Sequence, residues 1–345
     1  MEFVDHLGIR LEKELEVQYL FVWVKGLVCL SALFVYILCY QVVAVICTFA
    51  SVVIPDSANM FRNTCGNFFW DLGLYFMHLN KVKFRIFGDK TDASPAIVIS
   101  NHASLADCFV IQYLSRISVL GDGFNPLQPR EQFSLPIINF FSWFLVWRVP
   151  TIKILLHMLK CDENWELEEK SLSFVFSRLL KSKFSEWVVL FPEVNIWSNT
   201  GASLQREVSE KYYLPKFDNL LYPRYSAFYN VISALEQWRP HPYVNLYDVT
   251  IVYYRQPDAN GIRNYSPPTL LEIFACSEPI TVIVYVKIRP VSRIPEQRKK
   301  LEKYLEHLWK HKEKVIAELK SENTTNQLQL RVRDDFTAGL GKQPT

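Results

Sequence analysis

The segment Ala96-Ile97-Val98-Ile99-Ser100-Asn101-His102-Ala103-Ser104-Leu105-Ala106-Asp107 decides how this chain is read. A short run of β-formers ends at the polar pair Asn101–His102, and a helix is predicted from about Ser104 onward. A histidine on that turn and an aspartate one helical turn inside the helix can reach each other. The carboxylate would accept the Nδ1 proton, set the tautomer and leave Nε2 as a general base. No serine or cysteine flanks the pair in a recognisable nucleophile elbow, so the base is expected to activate a substrate hydroxyl directly. The competing reading is a capped turn with a satisfied histidine.

Outward from this motif, strand and helix patterns alternate. Val82 to Phe87, Trp187 to Phe191, Tyr243 to Tyr254 and Thr281 to Ile288 read as further strands. Leu167 to Lys181, Tyr225 to Trp238 and Pro295 to Leu319 carry helical spacing. Such alternation predicts an α/β fold with a mixed, mostly parallel sheet flanked by helices. No repeat or long linker divides the body. The chain therefore splits into an N-terminal segment with a transmembrane helix (1–55), one body (56–321) and a polar tail (322–345). His307 and His311 stand four apart on the last helix, a spacing that suits a metal. No third ligand accompanies them, and a solvated face beside Trp309 is the preferred reading, with no metal expected.

Residues Gly26 to Pro55 contain no charged side chain, more than the roughly 20 residues that a spanning helix needs. Neither Gly nor Pro falls between Leu27 and Ile54, so a single long, tilted spanning helix is expected rather than a hairpin. Lys25 interrupts the upstream apolar residues and can snorkel to the headgroups. A cleaved signal peptide fits poorly with so long a run behind Glu12, Glu14 and Glu16. Arg62, Lys81, Lys83, Arg85 and Lys90 follow the helix, whereas Arg10 and Lys13 precede it, which favours a cytosolic body. The seven scattered cysteines agree, showing neither a disulfide framework nor zinc spacing. In that orientation the sequons at Asn264 and Asn323 stay unmodified. The 38 Lys and Arg against 35 Asp and Glu leave a net charge of only +3, which argues against a nucleic-acid partner. A second uncharged run, Phe133 to Trp147 with Pro136 inside, is short for a crossing. It reads as an interfacial or re-entrant helix, or as a buried core helix, ending at Arg148.

A second motif, Phe191-Pro192-Glu193, follows the apolar strand, and Glu193 lies 91 residues after His102. With the first motif and the upstream apolar helix, it resembles the lysophospholipid acyltransferase family, or glycerolphosphate acyltransferase superfamily. That family's signatures are Asn-His-x-x-x-x-Asp and, further on, Phe-Pro-Glu-Gly. The segments Arg206-Glu207-Val208-Ser209, Tyr213-Leu214-Pro215, Leu221-Tyr222-Pro223-Arg224, Ile232-Ser233-Ala234-Leu235 and Tyr247-Asp248-Val249-Thr250-Ile251 look like its lysophosphatidylglycerol acyltransferase branch. The resemblance covers roughly residues 80 to 290.

The resemblance implies an acyl-CoA co-substrate, a lysophospholipid acceptor, no cofactor, and residence on the endoplasmic reticulum membrane. His102 would take the acceptor's hydroxyl proton as its oxygen attacks the thioester, without an acyl-enzyme, and Asp107 would orient His102. Asn101 and Glu193 would belong to the acceptor site. Arg224 occupies the place of the family's phosphate-gripping cation, whose planar fork suits a phosphate. Arg148 loosely matches the intermediate Gly-x-x-Arg region, where it would contact phosphate or snorkel. The oligomeric state stays open. Three departures stand out: Val194 replaces the motif's Gly, Ile196 a frequent Arg, and Leu145 the Gly of the intermediate motif. A β-branched residue at 194 narrows the backbone approach and does not easily take positive φ. That departure motivates an alternative, a catalytically silent membrane scaffold or lipid-binding protein. A transacylase using a phospholipid donor would need the same His and Asp.

Overall fold

The computed structural model describes residues 17–120, 135–142, 145–152, 154, 175–177, 179–180, 184–255, 264–275 and 279–321. The helix read over 167–181 falls mostly outside these residues, as do Cys161, Cys276, the Asn323 sequon and the polar tail. The strands are β1 (Lys83–Gly88), β2 (Ala96–Ser100), β3 (Ile137–Ser142), β4 (Leu145–Trp147), β5 (Glu186–Leu190), β6 (Asn245–Arg255) and β7 (Ile280–Pro290). They form one sheet in the order β1-β7-β6-β2-β5-β3-β4. The four central strands β6, β2, β5 and β3 are parallel, whereas β7 runs antiparallel to β6, and β4 to β3.

Strands β2 and β5 are buried along their whole length, as expected of parallel strands covered on both faces. Strand periodicity then sends alternate residues to two separate cores. Ala96, Val98, Trp187 and Val189 pack toward one face, and Ile97, Ile99, Val188 and Leu190 toward the other. The first face is covered by the helices α1 (Val17–Ala50), α2 (Pro55–Leu79), α3 (Asp107–Leu120) and a short helix at Leu270–Ala275. The second is covered by helices at Ser226–Glu236 and Arg298–Lys320. The expected α/β architecture is thus the one observed.

Two elements differ from expectation. Residues 137–142 and 145–147 are not helical but form the β3–β4 pair at the sheet edge, with Phe140 opposite Trp147. A short apolar run looks alike as a buried strand or a buried helix, and here β-branched and aromatic residues decide for the strand. The apolar N-terminal helix is also not solitary. Pro55 at the start of α2 turns the chain back, and Tyr36 Oη donates to the Cys65 carbonyl at 2.8 Å across the hairpin. Asp56, Arg62, Asn67 and Asp71 dilute the hydropathy of α2 and hide it from an apolar-run reading.

One face of α1 buries Leu33, Ile37, Tyr40 and Cys47, and the helix packs against both α2 and the short helix at Leu270–Ala275, where Gly26 lies against Leu271 and Ala275. The other face leaves Phe21, Val28, Val35, Val42 and Phe49, seven residues apart, exposed by 56–76%. Among the described residues, Phe21–Ala50 is the one helix long and apolar enough to cross a membrane. The hairpin is clamped to the body by α2. Trp70 Nε1 donates to the Arg148 carbonyl at 2.9 Å, and Arg116, fully buried, pairs with Asp71 at 3.1 Å. Gly73 permits the closest approach, since a Cβ there would lie 2.1 Å from the Phe109 ring. Gly73→Val should therefore destabilise the protein by about 1–3 kcal/mol through overpacking. An unchanged melting temperature would show that the hairpin is not seated on Phe109.

Candidate active site

The parallel strands end at a common edge, where side chains from adjacent strand ends can meet. Beyond Ser100, Asn101 prolongs the β2 ladder with its side chain. Its Nδ2 donates to the Ile251 carbonyl at 2.9 Å and its Oδ1 accepts the Ile251 N–H at 2.8 Å. The chain then turns into α3, whose first residue, Asp107, folds its carboxylate back over the turn. Asp107 Oδ2 accepts from the backbone N–H groups of Ala103 at 2.7 Å and Ser104 at 2.9 Å. The same oxygen meets His102 Nδ1 at 3.0 Å. Tyr253 Oη donates to the other oxygen at 2.6 Å. A fully buried carboxylate surrounded by donors takes the Nδ1 proton as a hydrogen bond, which leaves His102 Nε2 as an acceptor. The imidazole stacks on Phe191, with centroids 4.3 Å apart, and keeps 12% of its side chain exposed.

Phe191, Pro192 and Glu193 follow β5, the neighbour of β2, and so arrive beside this turn. Glu193 is 1% exposed and points inward. Its Oε2 accepts the His102 N–H at 3.2 Å and its Oε1 the Trp309 indole N–H at 3.1 Å. Burial pushes its carboxyl up to about 8, against the pull of those two donors and the Lys312 ammonium. The turn is built on an unusual residue. The Phe191 carbonyl accepts from Val194 N at 3.0 Å, the Glu193 carbonyl accepts from Asn195 N at 2.7 Å, and Val194 stands at φ +65°. Val194 therefore adopts the left-handed backbone that its replacement of Gly argued against. The cost is about 1–2 kcal/mol for a residue with a Cβ.

Arg224 is half-buried, and its backbone N–H donates to the Pro192 carbonyl at 2.7 Å, which tethers it to the Phe-Pro-Glu turn. Arg148 is not brought to this cluster. It lies at the opposite end of the strands, beside Glu186, the first residue of β5. Its guanidinium bonds Glu186 at 3.1 Å, Asn139 Oδ1 at 2.9 Å and Asn63 Oδ1 at 2.7 Å, which ties the sheet edge to α2. Neither nearby candidate nucleophile is poised. Ser104 Oγ donates to the Pro268 carbonyl at 2.7 Å, and burial pushes the Cys108 thiol far up. His307 and His311 lie on an exposed helix face, and among the described residues no cluster suits a metal.

Two site residues, Tyr253 and Trp309, escaped the sequence reading. Burial first, then the Asp107 carboxylate, push the Tyr253 phenol well above its usual range, so it stays a donor. Tyr253 sits two residues beyond Ile251 on β6, on the same face, and only the β2–β6 pairing brings it to Asp107. Trp309 was noted only as the apolar neighbour of two histidines.

Residues 272–336 match the family Acyltransferase C-terminus. The chain is 25% identical over 221 residues to 1-acyl-sn-glycerol-3-phosphate acyltransferase 2 of Arabidopsis thaliana, covering 62% of this chain and 50% of that protein. It is 22% identical over 267 residues to lysophosphatidylinositol acyltransferase 10 of Caenorhabditis elegans, covering 76% and 63%. Over 219 residues it is 24% identical to 1-acyl-sn-glycerol-3-phosphate acyltransferase delta of Bos taurus, covering 63% and 51%. The chain thus spans about half the length of the first curated relatives it matches. No solved structure matches it. These similarities are to glycerolipid and lysophospholipid acyltransferases and support that wider family without singling out the lysophosphatidylglycerol branch.

The strained turn carries its own test. Val194→Gly removes the Cβ penalty but adds unfolded-chain entropy, so a net gain of up to about 1 kcal/mol is expected. Val194→Ala keeps the penalty. Melting temperatures should rank Gly above Ala, and the reverse order would mean that residue 194 is unstrained.

Proposed function

We propose that this chain transfers a fatty acyl group from acyl-CoA to the hydroxyl of a lysophospholipid, with His102 as general base. The observation that carries this reading is the His102–Asp107 pair, oriented at 3.0 Å with Nε2 left to face a substrate. The acceptor hydroxyl donates its proton to Nε2 while its oxygen attacks the thioester carbon. The C–S bond then breaks, and the imidazolium returns the proton to the departing thiolate. Asp107 stabilises the imidazolium between these steps. Direct transfer is favoured over an acyl-enzyme because Ser104 is engaged and Cys108 is buried.

The exposed apolar face of α1 supports attachment to a bilayer, from which both acyl substrates are drawn. The body on the cytosolic side of the endoplasmic reticulum is the finer part of this proposal. So is a lysophosphatidylglycerol acceptor, which rests on the segments around Arg206, Tyr213 and Arg224. The matching position of Arg224, tethered to Pro192, supports its role as the phosphate-gripping cation.

His102→Ala should lower acyl transfer by at least about 100-fold without altering membrane binding, since positioned bases contribute about 10²–10⁴. Full activity in this variant would remove His102 as the base, whereas a wild-type chain that binds lipid and transfers no acyl group would favour a lipid-binding scaffold. Arg224→Ala should raise the KM for lysophospholipid by roughly one to two decades and leave acyl-CoA saturation alone, the worth of a charge-assisted hydrogen bond. Arg224→Lys should recover part of that loss, because an ammonium lacks the planar fork. An unchanged acceptor KM with a lowered melting temperature would make Arg224 structural.

A further inference from the structure

The helix Arg298–Lys320, designated α7, lies within the stretch that matches the acyltransferase C-terminus and behind the catalytic turn. The short helix Leu270–Ala275 is α6, Asn199–Tyr212 is α4 and Ser226–Glu236 is α5. Two adjacent residues of α7 clamp it in place. Lys312, 1% exposed, donates to Asp248 Oδ1 at 2.7 Å, to the Val249 carbonyl and to Thr250 Oγ1 at 3.2 Å, all on β6. Arg289 holds the other Asp248 oxygen at 3.3 Å. Glu313 accepts the backbone N–H groups of Asp218 and Asn219 at 3.1 Å, securing the loop that leads to Arg224. Trp309 is fully buried, with the Lys312 ammonium 5.3 Å from its ring centroid. From this clamped helix its indole N–H reaches Glu193 Oε1, while Glu193 Oε2 holds the His102 N–H.

We infer that Trp309 is a positioning residue for acyl transfer, its indole N–H holding Glu193 against the backbone of His102 and so setting where the imidazole stands. This rests on the acyl-transfer reading. An indole N–H is a donor only, so it suits a carboxylate oxygen and a phenyl ring cannot replace it. Glu193 also follows directly on a proline and precedes the strained Val194, so an unanchored carboxylate would let the turn relax away from His102. The titratable groups around Glu193 are His102 and Asp107 from the β2–α3 turn and Lys312 from α7. Asp248 and Arg289 lie behind Lys312, and Arg224 is bonded to the adjacent Pro192. Burial and Asp107 raise its carboxyl, whereas the His102 and Trp309 N–H groups and Lys312 lower it. Removing the indole donor must therefore make Glu193 ionise at higher pH.

The test uses the full chain in phosphatidylcholine vesicles, with oleoyl-CoA as donor and lysophosphatidic acid or lysophosphatidylglycerol as acceptor. Trp309→Phe should lower kcat roughly tenfold, the worth of leaving a buried acceptor unsatisfied, with both KM values changed less than about twofold. The acidic limb of the pH profile should move to higher pH, since the lost donor no longer lowers the Glu193 carboxyl. In a Glu193→Ala background, which lacks the acceptor, the same change should cost little more, because the two residues act as a pair. Benzothienylalanine incorporated at position 309 keeps the bicyclic shape and loses only the donor, and it should repeat the effect if the smaller phenyl ring impairs folding. Unaltered kcat and pH profile in either variant would overturn the inference, as would a fully multiplicative loss beside Glu193→Ala. If the wild-type chain transfers no acyl group, the proposed function fails by itself, and hydrogen exchange at the His102 amide decides for Trp309. Faster exchange in the donor-free variants sustains the positioning role, and unchanged exchange removes it.

Discussion

The site depends on one buried carboxylate. Asp107 has no contact with water, and an isolated ion in such a place would be strongly disfavoured. What makes it tolerable is the set of donors that converge on it: two backbone N–H groups, an imidazole and a phenol. These come from the β2–α3 turn and from β6, so the carboxylate joins pieces of chain more than 140 residues apart. The join is available because β2 and β6 are parallel neighbours, with Ser100 opposite Val249. One residue further along, Asn101 grips Ile251, and beyond it Tyr253 comes within reach of Asp107. Sheet register therefore sets the tautomer of His102 through a chain of ordinary hydrogen bonds.

Much of this could be read from residues alone, and the parts that could not share a cause. Ala96–Ser100 and the long runs that became β6 and β7 announced themselves by β-branched and aromatic composition. The His102–Asp107 pair was legible because its members are five residues apart and a turn determines how they meet. Tyr253 and Trp309 were not legible, because each reaches the site by tertiary packing over more than 100 residues of sequence. Helix α2 was missed for a different reason. Its apolar stripe is broken by Arg62, Asn67 and Asp71, and burial against α3 rather than average hydropathy gives it a place. The run before Arg148 was misjudged because continuous apolarity carries no period, and its edge-strand role emerges only from pairing with β5.

Val194 shows how a departure from a motif can be absorbed. A glycine at that position would reach the left-handed region without penalty. The valine reaches it nonetheless, held by the hydrogen bonds of Phe191 and Glu193 on one side and by the inward anchoring of the Glu193 carboxylate on the other. Strain of about 1–3 kcal/mol persists only where its surroundings over-determine it, and this turn is tied to the sheet, to His102 and to α7. The His102–Asp107 contact of 3.0 Å thus coexists with a valine at position 194, and the cost of its left-handed backbone falls on the turn.

The two cores divide the labour of the molecule. One face of the sheet seats the α1–α2 hairpin, whose outer surface is apolar enough to meet lipid, and the other seats α7, which braces Glu193. Both cores share β2 and β5, the strands from which the His102 and Glu193 turns emerge. A side chain carried on a loop tip would be displaced by every contact made there. His102 is instead attached to the end of a strand buried on both sides, with its backbone N–H, its carbonyl and its Nδ1 all engaged by the protein. Only Nε2 is left open, and the groups that hold the rest of His102 come from the sheet ends and their turns rather than from the α1–α2 hairpin.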